Sequence, residues 1–132
     1  MNFVIDSDIL IFFLKGQPEV VDKLTSCPID TLFTTRINYT ELLYGAYNSA
    51  RIEEKLAKIT GFLSAISVLE FNEKASQIFA QDKAILKRQG IMIADMDLLI
   101  LSITKAHKFT LITNNHKHFE RIDNLRIHRW MK

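Results

Sequence analysis

Residues 2–16, NFVIDSDILIFFLKG, join a short apolar run to a longer one through two aspartates. The first five of these residues predict a buried strand, because they are rich in β-branched and aromatic side chains. Asp6, Ser7 or Asp8 can then cap a helix over the second run, and Gly16 is suited to end it. Charge between two buried elements is costly unless a helix cap, an ion pair or a bound metal compensates it. The stretch therefore indicates a strand–helix unit with a candidate site at Asp6.

The rest of the chain continues this alternation of strands and helices. Strands are predicted at TLFTT, SVLEF, FTLIT and near LRIHRW, and helices at QPEVVDKLTS, RINYTELLYGAYNSA continuing into RIEEKLAKITGFLSAI, EKASQIFAQDKAILKRQ and DMDLLILSITKAHK. Asn72 is expected to cap the helix that ends at Gly90, and NNHKH to form a turn. The pattern predicts an α/β fold with a mostly parallel central sheet. Because ligands bind beyond the carboxyl ends of such strands, Asp6, Asn114 and Asn115 lie where a site is expected.

Composition limits the classes of protein to consider. With 132 residues, 48% of them hydrophobic, and no repeat or linker, the chain is expected to form one domain, residues 1–132, that buries about two thirds of its unfolded surface. The first residues, MNFVIDSD, lack the basic region and cleavage site of a signal peptide, and no apolar run reaches the roughly 20 residues of a membrane helix, so a cytoplasmic protein is expected. The single cysteine, Cys27, excludes an internal disulfide and a cysteine-rich metal site.

The net charge of +2 is unevenly distributed. Residues 1–104 carry 10 Lys and Arg against 13 Asp and Glu, whereas residues 105–132 carry 7 against 2. An acidic part with a basic tail could hold a metal and attract a polyanion, and a simply solvated C-terminus explains the same charges.

Two aspartates also open residues 93–103, IADMDLLILSI. Apolar side chains then point almost all the way round the helix, which predicts that it is buried. Asp95 and Asp97 point to nearly opposite sides, and we expect Asp95 to cap the helix and Asp97 to face inward. Glu41 lies opposite the predicted apolar face of its own helix and could be solvated, although Tyr44 and Gly45 beside it indicate a groove. That apolar face comprises Tyr39, Leu42, Leu43, Ala46 and Tyr47.

The carboxylates carry more information together than singly. Asp6 at a strand end, Glu41 on a mid-chain helix and Asp97 at a buried helix start could converge on one point. Clustered carboxylates raise each other's pKa, and a hard divalent cation relieves that repulsion. Oxygen-only ligands select Mg²⁺ or Mn²⁺ over Zn²⁺, and such an ion can promote attack on a phosphodiester.

Four stretches, in this order along essentially the whole chain, resemble a PIN-domain protein: VIDSDILI, TELLYGA, IADMDLLI and TLITNNHKHFERIDNLRIHRW. The resemblance is greatest to the VapC toxins of bacterial VapBC toxin–antitoxin pairs. It implies a PIN-like α/β domain and a Mg²⁺-dependent endoribonuclease, with Mn²⁺ as a substitute. It also implies cleavage of transfer or ribosomal RNA that leaves a 5′-phosphate and a 3′-hydroxyl.

The resemblance assigns the family's acidic residues to Asp6, Glu41 and Asp97, as catalytic and metal-binding groups. The fourth position, often Asp in the family, is Asn115 here, which makes the site less negative and argues against a tightly held second metal. Asn115 stays a catalytic candidate that could orient a water or a phosphate. Asp8 stands where the family often has Asn, and could assist or only cap.

The resemblance also implies partners. VapC toxins are typically homodimers, and a small VapB-type antitoxin holds them in a higher hetero-oligomer by inserting into the active-site groove. Operator DNA is then bound only through the antitoxin, RNA is the substrate, and no membrane is involved. Arg121, Arg126 and Arg129 could bind RNA phosphates or be solvated. Other residues that could serve a partner are assigned to the core by default: Phe12, Phe13, Tyr44 and Tyr47.

Other functions stay open. A metal-free nuclease would use His116 and His118 as an acid–base pair, although a polar turn explains them more simply. A catalytically inactive PIN-like module would bind RNA or protein without cutting; the three carboxylates argue against it and Asn115 keeps it open. A phospho-acceptor receiver domain is not favoured, because Arg36 and Asn114 follow the strands that would need Asp and Lys.

Overall fold

A computed structural model of the chain describes residues 1–130, apart from the side chain of His118. Five strands form one sheet in the spatial order β3-β2-β1-β4-β5, and every pairing is parallel. The strands are β1 (Phe3–Ile5), β2 (Leu32–Thr35), β3 (Ser67–Leu69), β4 (Thr110–Ile112) and β5 (Arg126–His128). The central strand is β1, where Phe3 pairs with Leu32 on one side and with Thr110 on the other. The predicted α/β fold with a parallel sheet is confirmed.

Helices connect the strands. Within the described residues they are α1 (Ser7–Leu14), α2 (Pro18–Ser26), α3 (Arg36–Tyr47), α4 (Ile52–Leu63), α5 (Glu73–Arg88), α6 (Asp95–His107) and α7 (His116–Phe119), with a 3-10 turn at Ile29–Thr31. Asn72 caps α5 as predicted, because its side chain accepts the Ala75 N–H at 2.9 Å. None of the helices in residues 1–130 is long and apolar enough to cross a bilayer.

The structure selects one of the three candidate caps of α1, whereas the predicted cap of α6 is wrong. Asp6, rather than Ser7 or Asp8, is the N-cap of α1, and its side chain accepts the Ser7 N–H at 2.8 Å. Ala94 is the N-cap of α6, so Asp95 lies inside the first turn. The N-cap is the last residue with extended backbone, and ψ is 160° at Asp6 and 140° at Ala94. Backbone conformation therefore selects Asp6 among the candidate caps of α1, and at α6 it overrides the capping preference of the Asp95 side chain.

Two loop predictions also need correction. The helix predicted to continue beyond α3 is interrupted at residues 48–51, where the Ser49 hydroxyl donates to the Ala46 carbonyl at 2.7 Å. Such local side-chain bonds compete with helical ones, which accounts for the break. The NNHKH segment, predicted as a turn, contains the start of the short helix α7.

Apolar side chains cover both faces of the sheet at its centre, which explains why β1 and β4 are largely apolar. Successive residues alternate between the faces: Ile5 and Ile112 pack with α1 to α4, whereas Val4 and Leu111 pack with α5 and α6. The buried side chains of α6 confirm the prediction that this helix is buried.

The apolar face predicted for α3 is wrong in part. Tyr47, which belongs to the predicted apolar face, is 62% exposed, and Tyr44, assigned to the core by default, is 68% exposed, whereas the buried stripe of the helix is Asn38, Leu42 and Ala46. The helical wheel fixes which residues share a face but not which face meets the core. Two tyrosines on this surface are therefore open to solvent instead of lying in the core.

Two ion pairs join α5 to α6 at different depths. Lys105 and Asp82 lie 2.6 Å apart with side chains only 11% and 17% exposed, whereas Lys83 and Asp95 lie 2.9 Å apart and are more than half exposed. Removing one partner of a buried ion pair lowers the stability of the fold strongly, because the other charge is then left buried alone. Removing one partner of an exposed pair has little effect.

We predict that Asp82→Ala lowers the free energy of unfolding by about 2 kcal/mol, because it leaves the Lys105 ammonium largely buried without its carboxylate. The matched control, Lys83→Ala on the same helix, should cost under about 0.5 kcal/mol. Urea unfolding of the two variants measures both values. An equal decrease in the free energy of unfolding in both variants would contradict the prediction that the buried ion pair stabilises the fold more than the exposed one.

Candidate active site

The strand order creates a crevice at the carboxyl ends of β1 and β4. From β1 the chain moves to β2 and β3, and it then returns to the other side of β1 to form β4. Ligands of open parallel sheets bind at such a switch point. Asp6 follows β1 and Thr113 follows β4, and the Thr113 hydroxyl donates to Asp6 Oδ2 at 2.8 Å. The two residues therefore meet at the expected position.

Protein donors hold both oxygens of the buried Asp6 carboxylate. Oδ1 accepts the Ser7 N–H at 2.8 Å and Asn38 Nδ2 at 3.0 Å, and Oδ2 accepts the Thr113 hydroxyl. Hydrogen bonds of this kind compensate the loss of water around a buried carboxylate. They also fix its orientation, so Asp6 is a rigid point of the site.

Glu41 reaches the same place from α3. The Ser7 hydroxyl donates to Glu41 Oε1 at 2.7 Å and in turn accepts Asn38 Nδ2 at 2.8 Å. Burial raises the pKa of Glu41, the charges of Asp6 and Asp97 raise it further, and the hydrogen bond from Ser7 opposes the rise. Asp97, in the first turn of α6, is thus within electrostatic reach of Glu41. The structure therefore links Asp6 and Glu41 through hydrogen bonds and places Asp97 near enough for its charge to act on Glu41.

Asp8 belongs to the same cluster. Its Oδ1 accepts the Ile9 N–H at 2.7 Å, and its Oδ2 accepts the Asn114 N–H at 3.0 Å, which ties α1 to the loop after β4. Burial and then the charge of Asp6 raise the pKa of Asp8 from 3.8 to about 6, despite these hydrogen bonds. Asp8 therefore adds a fourth carboxylate to the region of negative potential.

Asn115 lies at the same edge of the sheet but is not drawn into the carboxylate cluster. Its N–H donates to the Thr113 hydroxyl at 3.1 Å, while its side chain is exposed and does not cap α7. His116 follows it, with Nε2 at 3.4 Å from the Arg129 guanidinium. The His118 side chain lies outside the described residues, so the proposed histidine pair stays untested.

The structure adds Asn38 and a bonding role for Ser7, which the sequence analysis did not assign to the site. Asn38 is fully buried and donates to both Asp6 and Ser7. It precedes Leu42 and Ala46 by four and eight residues, so it occupies a polar position on the buried stripe of α3. A buried amide is costly without partners, and this periodicity was the signal available in the sequence.

The donor chemistry of the cluster fits a divalent cation. Asp6, Asp8, Glu41 and Asp97 offer only carboxylate oxygens, which hard cations prefer. Within residues 1–130, no Lys or Arg pairs with Asp6, Asp8 or Glu41. No three His, Cys, Asp or Glu side chains of the described residues are already close enough to share one ion. The side chains are therefore gathered at the edge of the sheet but are not yet in ligating positions.

The comparisons with known proteins agree with this geometry. The family model described as PIN domain matches residues 3–125. The tRNA(fMet)-specific endonuclease VapC of Shigella flexneri is 32% identical over 130 residues, 98% of each chain. Ribonuclease VapC1 of Haemophilus influenzae (strain R2866) is 31% identical over 134 residues, 100% of each chain.

Solved structures give the same result. VapBC2 from Rickettsia felis, bound to a DNA fragment from its promoter, superposes with a TM-score of 0.93 at 29% identity, over 99% of this chain and 100% of the other. DNA-bound VapBC from Salmonella typhimurium gives a TM-score of 0.93 at 30% identity, over 99% of both chains. Nucleases with a PIN domain are in general metal-dependent. The chain therefore belongs to the PIN-domain family, and within it to the VapC ribonucleases.

Proposed function

We propose that this protein is the toxin of a type II toxin–antitoxin pair. It is a Mg²⁺-dependent endoribonuclease of one PIN domain, residues 1–132, that hydrolyses phosphodiesters of transfer or ribosomal RNA in the cytoplasm. A cognate VapB-type antitoxin inhibits it. The observation that carries the proposal is the hydrogen-bonded link between Asp6 and Glu41 through Asn38 and Ser7 at the switch point of the sheet, with Asp97 near enough for its charge to act on Glu41.

RNA is an anion that the carboxylates of the site repel, so a cation must lie between them. The protein's own side chains fix the carboxylates that would bind this cation. Asp6 is fixed by three donors, and Glu41 is held by Ser7. These two residues and Asp97 would hold the ion, and Mg²⁺ or Mn²⁺ suits their oxygen donors. Bound there, the cation would neutralise charge on the phosphodiester and lower the pKa of an attacking water. Asn115, exposed at the rim, would orient the water or a phosphate oxygen.

The proposed antitoxin site is an apolar cleft beside Glu41. The cleft has a volume of about 420 Å³ and lies between α1, α3 and α4. Its lining is apolar at Ile11, Leu14, Leu42, Ala46 and Ile59, and it is charged at Lys15, Glu41, Arg51, Glu54, Lys55 and Lys58. An apolar antitoxin segment would fill it and present a basic group to Glu41, so that binding covers the acidic site. The solved VapBC complexes support this partner, and the DNA in two of them supports operator binding through the antitoxin.

A homodimer within a larger complex with the antitoxin completes the proposal. The exposed Tyr44 and Tyr47 support an interface on α3, because aromatic side chains are enriched in protein interfaces. The alternative function is an inactive PIN-like binding module. Asn115 favours it, because the family often has a carboxylate at this position and Asn115 has only an amide.

Cleavage of total bacterial RNA by the antitoxin-free protein tests the function. We expect discrete fragments with Mg²⁺ and none with EDTA. Asp97→Asn should lower the cleavage rate at least about 100-fold, since it removes a carboxylate from the site. The matched control is Asp95→Asn, two residues earlier on α6 and paired with Lys83 at the surface, which should cleave at the wild-type rate.

Cleavage that survives both EDTA and Asp97→Asn would sink the metal-dependent mechanism and favour the histidine pair. RNA binding without cleavage at any Mg²⁺ or Mn²⁺ concentration would favour the inactive module.

A cavity at the opposite, amino edge of the sheet supports RNA binding. It has a volume of about 610 Å³, and its lining includes Lys74, Lys105, Lys108 and Arg126 but no acidic side chain. Within the described residues, Lys105 alone of these four pairs with a carboxylate. An RNA that extends from the acidic edge round the molecule would meet these cations with its backbone phosphates.

We predict that Lys108→Gln/Arg126→Gln, made in the Asp97→Asn background to prevent cleavage, weakens RNA binding. In a plot of the logarithm of the association constant against the logarithm of the salt concentration, the slope is negative. Loss of two phosphate contacts should reduce its magnitude by about 2. Fluorescence anisotropy with a labelled RNA hairpin measures this slope. The control Lys23→Gln/Arg88→Gln removes the same charges from exposed positions outside that cavity. Equal slopes in the two double variants would refute a role for the cavity.

A further inference from the structure

Asn38 is a buried residue that donates hydrogen bonds to Asp6 and to Ser7, and Ser7 in turn donates to Glu41. It is fully buried at the start of α3, and both N–H groups of its amide are used. Nδ2 donates to Asp6 Oδ1 at 3.0 Å and to the Ser7 hydroxyl at 2.8 Å. Asn38 therefore holds Asp6 directly and Glu41 indirectly through Ser7. These two hydrogen-bonded connections are called the two arms of the site.

The orientation of this amide is fixed by Thr35. The Thr35 N–H, which can only donate, faces Asn38 Oδ1 at 3.4 Å, and the Thr35 hydroxyl also donates to that oxygen at 2.7 Å. The same hydroxyl accepts the Asn38 N–H at 3.2 Å, so its proton is committed to the amide oxygen. Nδ2 must therefore point to Asp6 and Ser7.

This orientation gives the hydrogen bonds of the site a direction. Ser7 Oγ accepts from Asn38, which leaves its own proton for Glu41 Oε1 at 2.7 Å. Thr35 therefore donates to Asn38, Asn38 donates to Ser7, and Ser7 donates to Glu41. Glu41 is thus held as an acceptor at a set place relative to Asp6.

Helix capping does not account for the amide. The capping box of α3 needs only an oxygen on residue 38 to accept the Thr35 N–H, and Glu or Gln is usual at this position. The two N–H groups that face Asp6 and Ser7 contribute nothing to that box. A carboxylate at residue 38 would cap equally well but would repel Asp6.

We propose that Asn38 is a positioning residue that sets the placement of Glu41 relative to Asp6 for phosphodiester cleavage. The catalytic part of this inference rests on the proposed function. Loss of the amide would free the Asp6 carboxylate on one side and let the Ser7 hydroxyl turn away from Glu41. Because catalysis requires groups held in one geometry, the cost falls on the chemical step and not on RNA binding.

Asn38→Leu tests the proposal, because leucine has the same branched shape and no polar atom. We expect kcat for RNA cleavage to fall about 10- to 100-fold with KM within about twofold. The matched control is Thr34→Val: Thr34 is equally buried, but its hydroxyl donates at 2.9 Å to the Ile5 carbonyl and not to a carboxylate. The control should lower the melting temperature and leave kcat unchanged. An equal fall in kcat for the two variants would overturn the proposal.

Ser7→Ala distinguishes the effect of Asn38 on Glu41 from its effect on Asp6. It also tests the proposal if Asn38→Leu does not fold. It removes the link to Glu41 and keeps the bond from Asn38 to Asp6, so kcat should fall less than in Asn38→Leu. Crystal structures give a readout that does not need activity: Glu41 should move in Ser7→Ala, and both Asp6 and Glu41 in Asn38→Leu. Unmoved carboxylates in these variants would refute the proposal. A wild-type protein that cleaves no RNA would refute the proposed function alone, since the crystal structures still decide the positioning role.

Discussion

Repulsion among carboxylates at one edge of the sheet is the constraint on which the rest of the site depends. Burial raises the pKa of Glu41 and of Asp8, and the charge of Asp6, with that of Asp97 at Glu41, raises it further. No Lys or Arg in the described residues forms an ion pair with Asp6, Asp8 or Glu41. The fold therefore holds an unfavourable charge arrangement that a divalent cation would make favourable.

The scaffold can bear this cost because its centre is rigid. Asp6 directly follows β1, the central strand, whose neighbours on both sides are paired in register and whose two faces are covered by helices. The hydrogen bond from Thr113 joins the end of β4 to Asp6, and Asn38 joins α3 to it. Strand order, core packing and buried polar bonds thus converge on one carboxylate.

The fold could be predicted from the sequence because alternating strands and helices leave few arrangements for a chain of this length. Carboxylates at a strand end and at a buried helix start also stood out, since charge is costly there. Asn38 did not stand out, because its importance depends on a long-range contact with Asp6, 32 residues away. Asp95 and the α3 tyrosines were misassigned for a related reason. Local sequence does not fix the backbone angle at Ala94, nor which side of α3 meets the core.

Thermal unfolding of the wild-type protein and Glu41→Gln, each with and without Mn²⁺ at neutral pH, tests the central claim most directly. Burial and repulsion raise the pKa of Glu41 in the folded state, so its ionised form destabilises the fold and a neutral glutamine should stabilise it. Without metal, Glu41→Gln should therefore melt at a higher temperature than the wild type. With Mn²⁺, the wild type should gain more stability than the variant, because the ion binds the folded state and needs the carboxylate. Equal shifts in both proteins, or no shift in the wild type, would contradict a cation site at this edge of the sheet.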